Sequence, residues 1–250
     1  MPPTLFLVRH AQGHHNIPLP SSSSPYHAVH IRDALLTPYG KSQCGELSAR
    51  FPYHQEIDLI VSSPLRRTIQ TVAWSFGPVL RKEKVQWLLE PKAQEVSRLP
   101  CDVGHGVEEL RGLVGEEGVL PVGVGVERMG WGEVAEGWNS KTGYWAAEPE
   151  AVRRRAADFR AWLFGREEQN IVVVTHGAFL HYLTEDWTGD DPSRGTAYLN
   201  CEVRQFKFTT GSSVKEAHLE ETTESRLTRG ARETEKDANV IEEIKLVEAA

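Results

Sequence analysis

Cysteine is scarce. The 250 residues contain three, at positions 44, 101 and 201. An odd number at such wide separations excludes a disulfide framework and any CxxC metal site. Long apolar runs are also missing. No stretch approaches the ~20 residues that span a bilayer, and Arg9 cuts the apolar N-terminal segment too short for a secretion signal. These absences lead us to expect a cytoplasmic protein of the reducing cytosol, with no membrane partner. Positive charge is not in excess either. The net charge is −7, and Val214 to Ala250 carries six Lys/Arg against ten Asp/Glu, so the body is close to neutral. Such a chain has no broad field for a nucleic-acid partner, and any anion site must be local. The remaining composition is that of a globular protein, long enough to bury the core of one large domain.

Three segments share one pattern. TLFLV (4–8), IDLIV (57–61) and NIVVVTHG (170–177) are short, β-rich and apolar at successive positions. Strands of a parallel sheet covered by helices on both faces read this way. Between them the period changes. In SPLRRTIQTVAWSF (63–76), Leu65, Ile69, Val72 and Phe76 fall on one helical face, with Ser63 as N-cap and Pro64 at the first helical position. TPYGKSQCGELSARF (37–51) repeats the device with Thr37 and Pro38, and Cys44, Leu47 and Phe51 share a face. A third helix starts near Pro149 and runs through AVRRRAADFRAWLF. The alternation predicts a layered α/β fold.

Residues 96–147 differ. They are rich in glycine and place Trp131, Trp138 and Trp145 seven residues apart. We read a small cap insertion of short helices whose tryptophans pack it onto the core; Gly137 and Gly143 argue against one continuous helix. A substrate-facing aromatic wall is the other reading. The domain then covers 1–210. Residues 211–250 form a charged C-terminal extension, partly disordered, in which Val240, Ile244 and Val247 are spaced to share one side of a helix. PLPSSSSP (18–25) is low-complexity and reads as a loop.

The residues able to do chemistry gather where strands end. Arg9-His10 close the first strand, paired arginines in SSPLRRTIQT (62–71) follow the second, and the third ends at His176. Ligands of open α/β sheets bind beyond the carboxyl ends of the strands. Arg9, His10, Arg67 and His176 therefore share one edge, with a helix N-terminus beside them. Helix N–H groups and the dipole favour an anion there, and guanidinium forks suit a phosphate. Singly, each residue has a plainer reading. A histidine at a strand end is commonly a hydrogen-bonded structural residue, and arginines at a helix start are commonly solvated and slightly disfavoured by the dipole. Three strand ends with the same chemistry outweigh those readings.

LVRHAQGHHN (7–16), DALLTPYG (33–40), SSPLRRTIQT (62–71) and VVVTHGAFL (172–180) occur in this order, and the pattern they set covers residues 4 to about 208. Together they resemble the histidine phosphatase superfamily, in its phosphoglycerate-mutase-like branch. AQEVSRLPCDVG (93–104) is similar to a stretch of fungal-type members. The resemblance implies a three-layer phosphoglycerate-mutase-like fold, with a mostly parallel central sheet, helices on both faces and a small cap. It also implies roles. His10 would be the nucleophile that forms a phosphohistidine. Arg9, Arg67 and His176 would bind the phosphoryl oxygens, and Asn16 would add a contact. The motif's register selects Arg67 over Arg66. Glu95 would give a proton to the leaving oxygen and then activate water; Glu90 competes for that role, since both follow VQWLL (85–89). No metal and no cofactor is implied. Nearby arginines suit such a nucleophile, because cations lower a histidine pKa from its ordinary ~6.5 and keep the ring neutral.

Ala11 stands where the family most often has Gly, and Gln12 where many members have Glu. The long signature of the cofactor-dependent mutases is absent, which favours hydrolysis. The expected activity is that of a phosphomonoesterase acting on a small phosphorylated metabolite. Three alternatives stay open: a phosphomutase or isomerase with the same intermediate, a repurposed pocket taking a phosphate-free metabolite, and a non-catalytic phosphate-ligand binder. A homo-oligomer is compatible with the sequence. His14, His15, His27 and His30 crowd one loop, but their spacing matches no standard metal site, and we read them as solvent-facing or at the substrate rim. His181 reads as structural, Cys101-Asp102 as a pocket border or a plain turn, Tyr26 as a residue closing over substrate, and His10 as lying at a pocket edge.

The register yields a prediction. Arg67→Ala weakens binding of inorganic phosphate or orthovanadate, measured by calorimetric titration, far more than Arg66→Ala does. Equal losses would mean that the wrong arginine has been selected.

Overall fold

The apolar strands pair as their two-sided burial requires. The computed structural model describes residues 1–17, 28–187 and 197–229. In it β1 (Thr4–Arg9), β2 (Leu59–Ser62), β3 (Gln86–Leu89), β4 (Met129–Gly130) and β5 (Asn170–Thr175) run parallel. Two antiparallel strands, β6 (Val203–Phe208) and β7 (Leu219–Glu221), extend the sheet beyond β1. The order is β4-β3-β2-β5-β1-β6-β7. The helices are α1 (Pro38–Arg50), α2 (Arg66–Ser75), α3 (Gly77–Leu80), α4 (Val107–Gly115), α5 (Pro149–Phe164), α6 (Gly177–Thr184) and α7 (Thr223–Arg229).

Successive strand residues point to opposite faces, and the core divides accordingly. Phe6, Val8, Ile60, Val172 and Val174 meet Cys44 and Leu47 of α1, Ile69 and Val72 of α2, and Leu110 of α4. Leu5, Leu7, Val61, Ile171 and Val173 meet Val152, Ala156 and Phe159 of α5 and Phe179 of α6. This is the expected three-layer, mostly parallel α/β architecture. Among the described residues no helix is long and apolar enough to cross a membrane.

Register sets the functional edge. Arg9 pairs with Thr175, and Ser62 pairs with Val174 on one side and Leu89 on the other. His10, Ser63, Glu90 and His176 thus leave the sheet at nearly one level. His10 N donates to Thr175 O and Glu90 N to Ser62 O, so the ladder continues one residue past the strands.

Helix starts follow the expected chemistry with one correction. Thr37 caps α1, its Oγ1 accepting from Gly40 N at 2.9 Å, with Pro38 behind it. A Cβ at Gly40 would overlap the carbonyl oxygen of Gln12, so the glycine lets α1 approach the loop after His10. Ser63 does not cap α2. Leu65 stays extended and the helix begins at Arg66. The Ser63 hydroxyl instead turns onto Leu65 N at 3.3 Å, while its own backbone N donates to Val174 O. Continuing the sheet holds Ser63 too far back to reach the helix.

The insertion packs inward through its tryptophans. Trp138 is 1% exposed and lies in the α1–α2 core, with Trp131 and Trp145 packed against it. Its Nε1 donates to His105 O, and Gln94 Nε2 donates to its carbonyl. Gly137 and Gly143 adopt positive φ, and no α-helix runs through them; only a short 3-10 turn, Gly143–Trp145, starts at the second. The insertion also supplies β4, which no periodicity announced. Past residue 210, β7 pairs with β6 and α7 follows, so the sheet extends beyond the boundary read from the sequence. Val240, Ile244 and Val247, the 18–25 stretch, Tyr26 and His27 lie outside the described residues.

Trp138→Ala lowers unfolding free energy by about 3–5 kcal/mol, the usual cost of deleting a buried aromatic, and Trp131→Ala lowers it by less. Urea denaturation measures both. Equal small losses would mean that Trp138 does not pin the insertion to the core.

Candidate active site

The strand ends bring the rings together. The centroids of His10 and His176 are 5.2 Å apart. His10 Nδ1 lies 2.7 Å from the carbonyl oxygen of Ala11. A carbonyl can only accept, so Nδ1 carries the proton and Nε2 the lone pair. Arg67 Nε donates to that Nε2 at 3.2 Å. The loop bearing His10 is held from several sides: Asn200 Nδ2 donates to His10 O at 2.8 Å, and Ala11 N donates to Thr71 Oγ1 on α2.

The two arginines of α2 divide their work. Arg66 is tied to Asp33: its backbone N donates to Asp33 Oδ1 at 2.8 Å, and its guanidinium donates to Asp33 O. Asp33 therefore supplies the anion that the start of α2 calls for. Arg67 turns into the cluster. Besides His10 it reaches Cys101 O at 2.6 Å and Asp102 Oδ1 at 2.7 Å, and neither partner of the ion pair has appreciable solvent contact. Burial works against the Arg67 charge, and Asp102, Cys101, Glu95 and Asp33 together outweigh it. Cys101-Asp102 thus borders the site.

Arg9 Nη1 donates to Tyr198 O, while its Nε has no partner among the described residues. A Cβ at Gly177 would lie 3.1 Å from Arg9 Cζ, so the glycine after His176 makes room for the guanidinium. Both ring nitrogens of His176 are buried and without a hydrogen-bond partner among the described residues. Burial first, then Arg67 and His10, push the His176 pKa well below its ordinary value. His10 is lowered in the same way by burial, Arg67, His15 and Arg9.

Glu95 and Glu90 are separated by their neighbours. Glu90 follows β3, and its carboxylate accepts from Lys92 N at 2.9 Å and pairs with Lys92 Nζ at 3.3 Å. Glu95 faces the N-terminus of α6. Its Oε1 accepts from Phe179 N and Val96 N, both at 3.0 Å, and Oε2 from Ala178 N at 3.4 Å. Burial and then Asp102 push its pKa up to about 7, against the pull of Arg67.

Asn16 helps fold its own loop, where its Oδ1 accepts from Gly13 N at 3.1 Å. None of its hydrogen bonds among the described residues runs to His10, Arg67 or His176. His14 and His30 are exposed, and His15 is half-buried and turned toward the cluster. Its ring centroid lies 5.5 Å from that of His10, and burial, Arg67 and Arg9 depress its pKa. The His-rich loop offered no signal to choose it. Lys141 was missed as well. It sits 4% exposed between two tryptophans of the insertion and donates to Glu95 O at 2.6 Å. Burial and then Arg155 pull its pKa down to about 7. His181 is structural, stacked on Trp187 beside Tyr198. The cluster also lies deeper than the expected pocket edge: His10 is 2% exposed, and Arg67 and His176 are fully buried.

The sheet thus delivers two imidazoles and two guanidiniums to one strand edge. The chain matches the histidine phosphatase superfamily (branch 1) over residues 5–104 and 127–220, and it belongs to that family. A phosphoglycerate mutase-like protein of Arabidopsis thaliana is 29% identical over 240 residues, covering 81% of this chain and 83% of the relative. Phosphoglycerate mutase-like protein 1 of the same plant is 27% identical over 244 residues, covering 84% and 83%. The mycobacterial glucosyl-3-phosphoglycerate phosphatase has the same fold at 16% identity, with a TM-score of 0.52 over 88% of this chain and 97% of that one.

The environment of Glu95 makes a prediction independent of turnover. In carboxyl ¹³C NMR its side chain titrates at about pH 7. A midpoint at the ordinary value of 4.5 would contradict the enclosed geometry described here.

Proposed function

We propose that the protein is a phosphomonoesterase that hydrolyses a small phosphorylated metabolite through a phosphohistidine on His10. One observation carries this reading: the unprotonated Nε2 of His10, fixed by the Nδ1 contact to Ala11 O, lies 3.2 Å from the Nε of a buried, permanently charged Arg67. Such a nitrogen is a ready nucleophile, and the guanidinium beside it counters charge on a phosphoryl group. In the first step Nε2 forms a bond to phosphorus as the ester P–O bond breaks. The Glu95 proton goes to the leaving oxygen. In the second step Glu95, now a carboxylate, takes a proton from water as the water oxygen attacks phosphorus, and the N–P bond breaks to release inorganic phosphate. The covalent intermediate splits one displacement into two easier ones.

Arg9 Nε and the ring of His176, which have no other partner among the described residues, are the groups to receive phosphoryl oxygens. Asn16 would add its amide nitrogen, the end not bound to Gly13 N. For the proton donor, Glu95 is favoured over Glu90, whose carboxylate is already paired with Lys92. Phosphoryl transfer leaves a protein mainly positioning and charge stabilisation to supply, and the guanidiniums serve both. The mutase-like names of the plant relatives motivate one rival, return of the phosphoryl group to a second hydroxyl of the substrate. Hydrolysis and transfer differ in product, since only the first accumulates inorganic phosphate.

The test is phosphate release across a panel of phosphorylated metabolites, with His10→Ala as control. The wild type releases phosphate and yields an acid-labile phosphoenzyme when quenched. The variant keeps its circular dichroism spectrum and loses both signals. Normal release by His10→Ala would end the assignment, and isomerised product without free phosphate would favour the mutase.

A further inference from the structure

We propose that Asp102 is a positioning residue that ties both halves of the site together, holding Arg67 against His10 and folding the Glu95 loop onto the same carboxylate. This rests on the phosphohistidine reading for its effect on turnover, but its geometry stands independently.

Asp102 is 2% exposed, and each of its oxygens has an assigned partner. Oδ1 accepts from Arg67 Nη2 at 2.7 Å, and Oδ2 accepts from Ser97 Oγ at 2.5 Å. Ser97 Oγ in turn accepts from Leu99 N. The loop carrying Glu95 at one end is thus folded around the Asp102 carboxylate at the other. The backbone carbonyl of Cys101 holds Nη1 of the same guanidinium at 2.6 Å. With Nη1 and Nη2 fixed in this way, Nε is left directed at His10 Nε2. A guanidinium is planar and rigid, so fixing its far edge fixes its near one.

The second function follows from charge. Glu95 has four charged neighbours. Asp102 is the like charge, and it disfavours ionisation of Glu95. Arg67, Arg155 and Lys141 are the opposite charges. The backbone donors Val96 N, Phe179 N and Ala178 N also favour the carboxylate. Burial and Asp102 therefore stand together on the side of the proton. An Asp102 anion that pairs with Arg67 and repels a Glu95 anion serves both a fixed cation and a proton donor. Sequence-similar Asn would keep its shape and lose the second role.

Three variants separate the roles. Asp102→Asn retains an acceptor for Arg67 but removes the charge. Its Glu95 carboxyl titrates at lower pH in ¹³C NMR, and the alkaline limb of kcat/KM for a phosphate ester moves the same way. Asp102→Glu retains the charge and displaces the Arg67 contact. Its titration stays near the wild-type position, while orthovanadate affinity falls by about 100-fold, the scale of a 1 Å misplacement. Ser97→Ala leaves charge and ion pair in place and weakens vanadate binding by less. A merely structural Asp102 would cost activity without moving the Glu95 titration. The proposal is overturned if Asp102→Asn leaves that titration unmoved, or if Asp102→Glu binds vanadate as the wild type does. The NMR and vanadate measurements need no turnover. Absence of phosphate release by the wild type would sink the phosphatase reading alone, and an unmoved titration in an active enzyme would sink this one alone.

Discussion

A guanidinium sealed from water must be paired or it cannot stay, because an uncompensated buried charge costs several kcal/mol. Arg67 meets that requirement with three contacts from two other parts of the chain. The His10 ring comes from the end of β1, the Cys101 carbonyl from the cap insertion, and the Asp102 carboxylate from the same loop. Helix α2 supplies the arginine itself. Satisfying this one side chain therefore draws the sheet edge, the helix start and the insertion to a common point. Arg66, one residue earlier, is satisfied by Asp33 and plays no part in that convergence. The division of two adjacent arginines between a structural anion and the site follows from helix geometry. Successive residues on a helix do not face the same way.

Much of this was legible in the sequence because strand ends are. Continuous apolar runs mark buried parallel strands, and whatever polar residue follows such a run must sit at the sheet edge. His10 and His176 were placed by that logic, and the pairing of Arg9 with Thr175 puts them side by side. The local pattern does not separate Glu95 from Glu90; only the resemblance favoured Glu95. Both follow one strand, and only the loop path, which turns Glu95 onto the N–H groups of α6, separates them. Lys141 was invisible, and His15 could not be told from its neighbouring histidines, for a related reason. Neither lies on an element with a period, so nothing in the local pattern says which way either side chain turns. The reading of Ser63 as a cap failed because a serine before Pro and a helix fits two local bonds. The sheet ladder at Ser63 N selects the one onto Leu65.

Burial shapes the charge state of the whole cluster. Arg9 and Arg67 are fixed cations, and the titratable groups around them adjust. His10, His15 and His176 are all driven toward the neutral form, first by burial and then by Arg67 or each other. Lys141 is brought down to about 7. The cluster thereby limits its own positive charge.

Glu95 is where these forces are closest to balance. Two backbone N–H groups at the start of α6 stabilise its carboxylate, as helix N-termini stabilise anions generally, and Val96 N adds a third. Burial and the nearby Asp102 stabilise the protonated form, and the result lies at about 7. A group fully committed to either state could do only half of the proposed cycle. A permanent carboxylate has no proton for the leaving oxygen, and a permanent acid cannot take one from water. The ideal catalytic pKa lies near the operating pH for that reason. Placing an acid at a helix N-terminus and then opposing the helix with a second carboxylate is one way to reach it without a metal or an external base.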